Sequence, residues 1–273
     1  MSVPTVTKPT RRKRWLTVRL LMVAIVLLSL PIAWATNRAR AQRRGVEAIR
    51  NLGGEVFYDY EFDSLGDPLS GPTKPWGPEW LHRLLGVEYF QEVHHVWFSP
   101  RSHHFVMDLD LVVLHDLPEL RSLALPATEI TNAGLAQVAT LEHLESLQLE
   151  NTQIGDEGLQ HLKDLSNLTH LIIGETRVTE AGLGTITRFK ALRDLRMRSL
   201  NITDDGLRRL SGMSQLEVLD LRGTPITDQG IRNPKKLTRL KWLFISGTAV
   251  TERGQAELKA ALPGLFVDTL GPR

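Results

Sequence analysis

The sequence predicts an α/β solenoid, in which short parallel strands form one concave sheet and short helices cover the convex side. A segment of the form T-x-I-T-D-x-G-L begins every 24 residues from residue 128 to residue 248. A glycine recurs at one position of each segment, from Gly134 to Gly254. Stretches such as LRSLAL alternate apolar and variable residues, which indicates strands with one buried face. Self-similarity at a fixed period is the signature of a repeat architecture.

The composition is that of a chain that can build a core. Of the 273 residues, 42% are hydrophobic and 23% are charged. The net charge of +2 does not favour a general nucleic-acid binder, so we expect no nucleic-acid partner. The absence of cysteine excludes disulfides, thiolate metal sites and thiol nucleophiles.

The first structural element in the chain is a predicted membrane span. A basic tail, residues 1–14, precedes it. Residues 15–36 carry one charge, Arg19, and are long enough to cross a hydrocarbon core of ~30 Å as a single transmembrane helix. Trp15 and Trp34 lie near its ends, where interfacial aromatic residues are common.

A cleaved signal peptide is the alternative, since Ala33-Trp34-Ala35 resembles an A-x-A cleavage site. Four arginines directly after that site disfavour export, so the sequence favours an uncleaved anchor. Six basic residues, Arg19 included, lie before the uncharged run at residues 20–36, and five follow it. The short tail without acidic residues favours a cytoplasmic N-terminus. We therefore expect residues 37–273 on the non-cytoplasmic side.

A neck and a cap are predicted between the span and the repeats. Residues 37–52 form a basic juxtamembrane helix, because Val46, Ile49 and Leu52 recur at helical spacing and Gly53 follows. Residues 53–92 form an N-terminal cap region, since a solenoid must cover the open end of its core. Within it, EVFYDYEF predicts a strand and PEWLHRLLGVEYFQEV predicts a helix.

Residues 93–273 form the repeat domain, with a degenerate first unit, six regular units over residues 117–260 and a closing strand in LPGLFVD. A threonine ladder is expected, each hydroxyl serving the turn backbone of the neighbouring coil; its members are Thr128, Thr152, Thr176, Thr224 and Thr248, with Leu200 interrupting. A second threonine, such as Thr131 or Thr251, or the acidic residue after it, is expected to cap the convex helix. The recurrent glycine indicates either close approach to the adjacent coil or unusual backbone dihedrals.

Units such as LPELRSLALPATEITNAGLAQVAT resemble leucine-rich repeats, L-x-x-L-x-L-x-x-N/C-x-L, with Thr at the Asn/Cys position. The repeats are similar to those of F-box-associated proteins, although no F-box-like helical segment is evident. The overall layout resembles short membrane-anchored leucine-rich-repeat proteins of bacteria. The resemblance implies a horseshoe that binds through its concave sheet, with no defined ligand.

No motif predicts catalysis: G-x-S-x-G, Walker and H-E-x-x-H patterns are all lacking. We therefore expect no enzyme, no cofactor and no catalytic or metal residues. One histidine cluster is a candidate metal site: His94, His95, His103 and His104, followed by His115. Adjacent histidines on a strand point to opposite faces. The sequence favours the interpretation that these are loop and edge histidines.

The outward strand positions form columns across the predicted concave face, and the last coils carry the most distinctive residues. The predicted partner-binding residues are Trp242, Phe244, Arg196, Arg198, Asp220 and Arg222. Aromatic residues beside arginine are typical of interface hot spots. In the alternative, Trp242 and Phe244 pack under the C-terminal segment LPGLFVDTLGPR and close the solenoid.

The function that the sequence favours is a membrane-anchored binding module for a protein or peptide ligand. The alternatives are a structural envelope component without a specific ligand, and a hydrolase or metal-dependent enzyme.

Overall fold

The fold is described from a computed structural model, which covers residues 11–61, 74–99, 106–232 and 237–268. Within the first helix, side chains are described at residues 22, 27, 29 and 30 and from residue 32 onward. Most of the predicted basic tail, residues 62–73 of the predicted cap region, His103 and His104, and residues 269–273 lie outside the described residues.

The predicted span and the predicted neck belong to one continuous helix, α1, Arg11–Asn51. Its C-terminal part is packed into the domain, with Ala39, Val46 and Ile49 buried. The helix ends before Gly53, whose positive φ of 78° turns the chain into the first strand. Over the described stretches of the chain, no helix is both long enough and apolar enough to cross a membrane.

The N-terminal end of the sheet is an antiparallel pair of strands. Strand β1, Gly54–Tyr58, runs antiparallel to β2, Val93–Phe98. The predicted strand EVFYDYEF is thus shorter than expected, because a 3-10 helix, Asp59–Glu61, follows Tyr58. A short helix, α2, Glu79–Leu85, and a 3-10 helix, Val87–Tyr89, lead into β2.

The described strands form one sheet in chain order, and from β2 onward every pairing is parallel. The remaining strands are β3 Ser122–Ala124, β4 Ser146–Gln148, β5 His170–Ile172, β6 Asp194–Arg196, β7 Val218–Asp220, β8 Trp242–Phe244 and β9 Phe266–Asp268. From β3 to β9 each residue pairs with the residue 24 positions later, so Leu123, Leu147 and Leu171 lie side by side and are buried. The predicted concave parallel sheet is confirmed.

The convex side carries short helical segments. In the first unit it is a 3-10 helix, Asp108–Asp116. The regular units contribute α3 Leu135–Val138, α4 Asp156–His161, α5 Leu183–Ile186, α6 Asp204–Arg209 and α7 Glu252–Ala261. One leucine of each, such as Leu159 or Leu207, is buried against the sheet and continues the core from coil to coil.

The recurrent glycine is explained by close approach between coils. Gly182 has φ −64° and ψ −25°, ordinary helical values, so unusual dihedrals are not the reason. A Cβ at Gly182 would lie 2.4 Å from Asp156 Oδ1, and one at Gly254 would lie 2.2 Å from Asp228 Oδ1. Each glycine therefore makes room for the polar side chain of the preceding coil.

The threonine ladder exists, but its bonds differ from the expectation. Thr152 Oγ1 donates to the Leu149 carbonyl at 2.7 Å, and Thr224 Oγ1 donates to the Leu221 carbonyl at 2.6 Å, both within one coil. The residue before each threonine has a positive φ, for example 55° at Asn151, which turns the chain back on itself. The hydroxyl thereby meets the carbonyl three residues earlier instead of the neighbouring coil.

The link between coils is made by acidic residues and the second threonine. Asp156 accepts hydrogen bonds from Thr179 N at 2.8 Å and Thr179 Oγ1 at 2.6 Å, and Asp228 does the same for Thr251 at 2.7 and 2.6 Å. The expected helix cap is seen at Thr251, whose hydroxyl accepts from Gly254 N at 3.3 Å. In α6 the N-cap Thr203 makes no such side-chain bond, and its hydroxyl binds Glu180.

Candidate partner-binding surface

The parallel register gathers most of the predicted binding residues on one face. Asp194, Val218 and Trp242 form one row across β6, β7 and β8. Arg196, Asp220 and Phe244 form the next row. The residues between the rows, Leu195, Leu219 and Leu243, are buried on the other side, so both rows lie on the concave face.

An exposed aromatic pair lies at the C-terminal end of this face. The ring centroids of Trp242 and Phe266 are 4.9 Å apart with 53° between the ring planes. Trp242 is 44% exposed and Phe266 is 52% exposed. The closing strand therefore adds a second aromatic beside Trp242 and leaves both accessible. The part of the expected covering segment beyond Asp268 lies outside the described residues.

Sequence reasoning missed Phe266, although a signal was present. Leu265 and Val267 are apolar neighbours in LPGLFVD, and both are buried. Strand alternation then places Phe266 on the outward face, in register with Trp242.

Phe244 is linked to a buried ion pair. The Arg222 guanidinium lies over the Phe244 ring, 5.4 Å from the centroid. Arg222 Nε donates to Asp220 Oδ1 at 2.9 Å, and the Arg222 backbone N–H donates to the same oxygen at 3.0 Å. These bonds raise the pKa of Arg222, chiefly through the hydrogen bond to Asp220. The buried carboxylate thus holds the guanidinium over the ring.

Arg196 is held in the same manner one strand earlier. Its Nη2 donates to Asp194 Oδ2 at 2.8 Å and its Nε donates to Oδ1 at 3.1 Å. The hydrogen bond to Asp194 is the main reason that the pKa of Arg196 is raised. The bidentate geometry restricts the rotamers of a side chain that remains half-exposed.

Arg198 lies in the notch left by Gly174. Its guanidinium pairs with Glu175 and, at 3.5 Å, with Glu150 two coils away. A Cβ on Gly174 would lie 3.1 Å from the Arg198 carbonyl oxygen, so the glycine permits this path. Arg198 Nε is buried and has no hydrogen-bond partner in the described part of the chain.

A small cavity of about 130 Å³ opens at this point, lined by Glu150, Ile172, Gly174, Arg196, Arg198, Asp220 and Arg222. The three arginines are matched by Asp194, Asp220, Glu150 and Glu175. The cluster therefore offers oriented N–H donors without an excess of positive charge. Its chemistry suits neutral acceptors such as peptide carbonyls better than an anion.

The opposite end of the concave face carries a second aromatic group that sequence reasoning did not single out. Trp97 of β2 is exposed, and Glu55 and Phe57 of β1 pair with Trp97 and His95. Burial, followed by the charges of His94 and Arg121, lowers the pKa of His95 to about 4, so its imidazole is neutral at pH 7.

The histidine cluster is only partly described. His94 and His95 lie on β2, and His115 lies in the 3-10 helix of the first unit. Among the residues that the structure describes, no group of three or more His, Asp or Glu side chains could hold a metal ion.

Comparison with known proteins matches the repeated coil. A family model described as Leucine Rich repeat matches residues 140–163 and 213–233, which coincide with the units that begin at Leu141 and Met213. None of the curated proteins compared with the chain matches it.

Similar solved structures include two internalins from Listeria monocytogenes. The match to the internalin inlF has 25% identity and a TM-score of 0.46, and covers 59% of this chain and 51% of that chain. The match to internalin C2, inlC2, has 21% identity and a TM-score of 0.45, and covers 60% of this chain and 84% of that chain. The chain thus spans about half the length of the inlF structure. The family model matches two units, and the same coil is repeated along the sheet, so the repeated coil of this chain is similar to a leucine-rich repeat.

Proposed function

We propose that this chain is a membrane-anchored binding module that takes a protein or peptide ligand on the C-terminal half of its concave sheet. The observation that carries the proposal is the exposed Trp242–Phe266 pair, set in register on the last two strands. Trp and Arg are enriched in interface hot spots, and large exposed aromatics on a rigid surface are uncommon without a partner.

The surroundings of the pair support recognition of a polypeptide. Leu243 and Val267 are buried directly beneath it, so the rings are held before a ligand arrives. Arg222 and Arg196 are oriented by Asp220 and Asp194 and supply N–H donors on the same half of the sheet, with Arg222 over the Phe244 ring. An apolar anchor flanked by fixed donors suits an apolar side chain of a ligand together with its backbone carbonyls.

The anchor part of the proposal rests on α1. Its residues 20–36 carry no charge. The described apolar side chains in this stretch are exposed, namely Met22, Leu27, Leu30, Ile32 and Trp34. A run of exposed apolar side chains on a helix is stabilised by lipid more than by water. We place residues 37–273 on the non-cytoplasmic side, as the short basic tail favours.

The binding surface is tested by a matched pair of variants on one strand. Trp242→Ala should weaken ligand binding by ~2 kcal/mol or more and leave the melting temperature of the full-length protein nearly unchanged, since the ring is half-exposed. The control, Leu243→Ala, removes a buried neighbour and should cost ~2–5 kcal/mol of stability. Ligand capture through a photo-crosslinking residue at position 266, with position 97 as reference, provides the binding readout.

Two outcomes would contradict the assignment. If Trp242→Ala lowers the melting temperature as much as Leu243→Ala, the ring closes the solenoid and is not a hot spot. A structural role without a specific ligand is favoured if crosslinking from position 266 gives no product, or if its products persist in the Trp242→Ala variant.

The orientation is tested with reporters fused after Arg273. A phosphatase that is active only after export should be active there, and a reporter that is active only in the cytoplasm should be silent. The reverse pattern would place the repeats inside the cell.

A further inference from the structure

Helix α2 and the bend before it carry an apolar stripe, Trp76, Trp80 and Leu84, that nothing in the described part of the chain covers. Trp80 and Leu84 lie one helical turn apart on α2 and are 64% and 72% exposed, and Trp76, which precedes the helix, is 76% exposed. The other side of α2 is packed, since the His82 ring lies 5.4 Å from the Phe90 ring. Exposed apolar stripes of this kind mark contact with a partner or a membrane.

The stripe lies at the edge of the domain where α1 leaves it. Arg38 of α1 pairs with Glu92 at 3.1 Å, directly before β2. Ile49, near the other end of the packed part of α1, is next to Gly54 and Phe98, where β2 ends. The packed part of α1 therefore runs alongside β2 in the same direction. Residues before Arg38 continue past the N-terminal ends of the strands.

Phe90 connects α2 to this exit point. The Trp76 ring lies 6.5 Å from the Phe90 ring, and Phe90 is followed by Gln91. The backbone carbonyl of Gln91 accepts a hydrogen bond from Gln42 Nε2 of α1 at 2.7 Å. The apolar stripe and the exit of α1 thus share one edge of the domain.

A third exposed tryptophan lies at the same edge. Trp34 precedes Arg38 by one helical turn, and the Arg38 guanidinium lies 5.3 Å from the Trp34 ring centroid. Tryptophan is enriched at the boundary between lipid and water, where its ring is buried among headgroups. Lys74, which is exposed, adds positive charge close to Trp76, and the exposed Arg83 pairs with Glu79 of α2 at 3.5 Å.

We propose that Trp76 and α2 lie in the membrane interface beside the entry point of α1 and form a second contact between the domain and the bilayer. This inference rests on the proposed membrane anchor. With both contacts at this edge, the N-terminal ends of the strands lie nearest the bilayer and the strands run away from it. The plane of the sheet is then perpendicular to the membrane, and a ligand can approach the Trp242–Phe266 pair from the side.

The chain has no cysteine, so single labels can be placed without background. An environment-sensitive fluorophore is attached to one of three single-cysteine variants: Leu84→Cys, Leu27→Cys in the proposed span, or Asn201→Cys. Asn201 is exposed and follows β6, at the C-terminal ends of the strands. Each full-length variant is reconstituted in phosphatidylcholine vesicles with and without nitroxide-labelled lipid. We expect strong quenching at positions 27 and 84 and little at position 201.

The possible results distinguish the membrane contact of α2 from the membrane anchor in α1. Quenching at position 27 with position 84 behaving like position 201 would leave the anchor standing and overturn the interfacial helix. Absence of quenching at position 27 would reject the anchor, and this inference with it. Equal quenching at positions 84 and 201 would also overturn it, because the contact would then be unspecific.

A second variant guards against a label that inserts by itself. Trp76→Ser combined with Trp80→Ser removes the rest of the stripe and should reduce quenching at position 84 several-fold, while quenching at position 27 stays unchanged. Quenching at position 84 that is unaffected by the two substitutions would mean that the fluorophore, not α2, seeks the lipid.

Discussion

Two glycines, one directly before α5 and one within it, show how differently the same residue is used at one helix. Gly182 recurs in every regular unit and is buried against the preceding coil, where Asp156 Oδ1 would lie 2.4 Å from an added Cβ. Gly184 is exposed and has nothing within 4 Å of an added Cβ. Neither requires a positive φ. The first glycine is therefore a contact residue between coils, and the second has no role that the structure shows.

Alanine substitution separates the two roles. Gly182→Ala should destabilise the domain by ~1–3 kcal/mol, because Asp156 must move and its bonds to Thr179 must lengthen. Gly184→Ala should be neutral or stabilise by up to ~1 kcal/mol through better helix propensity. Urea unfolding of the full-length protein measures both. Equal effects would show that the recurrent glycine is not required by packing.

At the scale of the element, hydrogen bonds to a polar side chain connect each convex segment with the next coil. Asp108, Asp156, Asp204 and Asp228 each accept from the backbone and hydroxyl of a threonine one coil later. Where the acid is replaced by Asn132, the partner is the backbone N–H of Gly155, which has no hydroxyl to offer. Asparagine supplies a single oxygen acceptor, so donor and acceptor numbers still match.

These links predict an acid-sensitive domain. Hydrogen bonds from Thr251 lower the pKa of Asp228 below its usual 3.8, and hydrogen bonds from Thr203 lower the pKa of Glu180 below its usual 4.5. A lowered folded-state pKa means that the stabilisation is complete above the unfolded-state pKa and is lost as pH falls through the folded-state pKa. The melting temperature should therefore fall steadily on acidification below about pH 4.

A substitution identifies the groups responsible. Asp228→Asn removes one titrating link, so the melting temperature at pH 7 should be lower and its decrease on acidification should be smaller than in the unmodified protein. Thr251→Val, which deletes the hydroxyl donor but keeps the carboxylate, should have an intermediate effect. A pH profile unchanged by Asp228→Asn would mean that other carboxylates control the acid transition.

At the scale of the whole molecule, the repeats are related by a simple shift of 24 residues. Strand pairs with strand in the same register throughout β3 to β9, and the convex links are repeated with the same spacing. Each coil is stabilised chiefly by its two neighbours, as in other solenoids. One complete coil should therefore be removable, whereas part of a coil should not.

Deletion of residues 165–188 tests this. The deletion joins Asp164 to Phe189 and leaves Asp156 facing Thr203, a threonine that already binds an acidic residue of the preceding coil. We expect a folded protein with cooperative unfolding and a smaller dependence on urea, because less surface is exposed on unfolding. The control, deletion of residues 165–176, removes β5 but leaves α5 behind, and should not fold. If both deletions abolish the circular dichroism signal of the folded state, the coils are not equivalent.

The sequence by itself determined the architecture of residues 117–260. A strict period with buried leucines allows one register only, since a slip of one residue would turn every inward side chain outward. The same alternation placed Trp242, Phe244, Arg196 and Asp220 on one face, and the sheet register confirms their alignment.

Only the tertiary structure decided how the polar groups are paired. The turn made by a residue with positive φ sends the Thr152 hydroxyl to its own coil, which no linear pattern reveals. The partner of the recurrent glycine is a side chain of the preceding coil, 26 residues earlier for Gly182 and Asp156. The exposure of Phe266 and of the apolar stripe at α2 was likewise visible only in the tertiary structure. Exposure depends on what the rest of the chain covers, and a periodic pattern records only which residues must be buried.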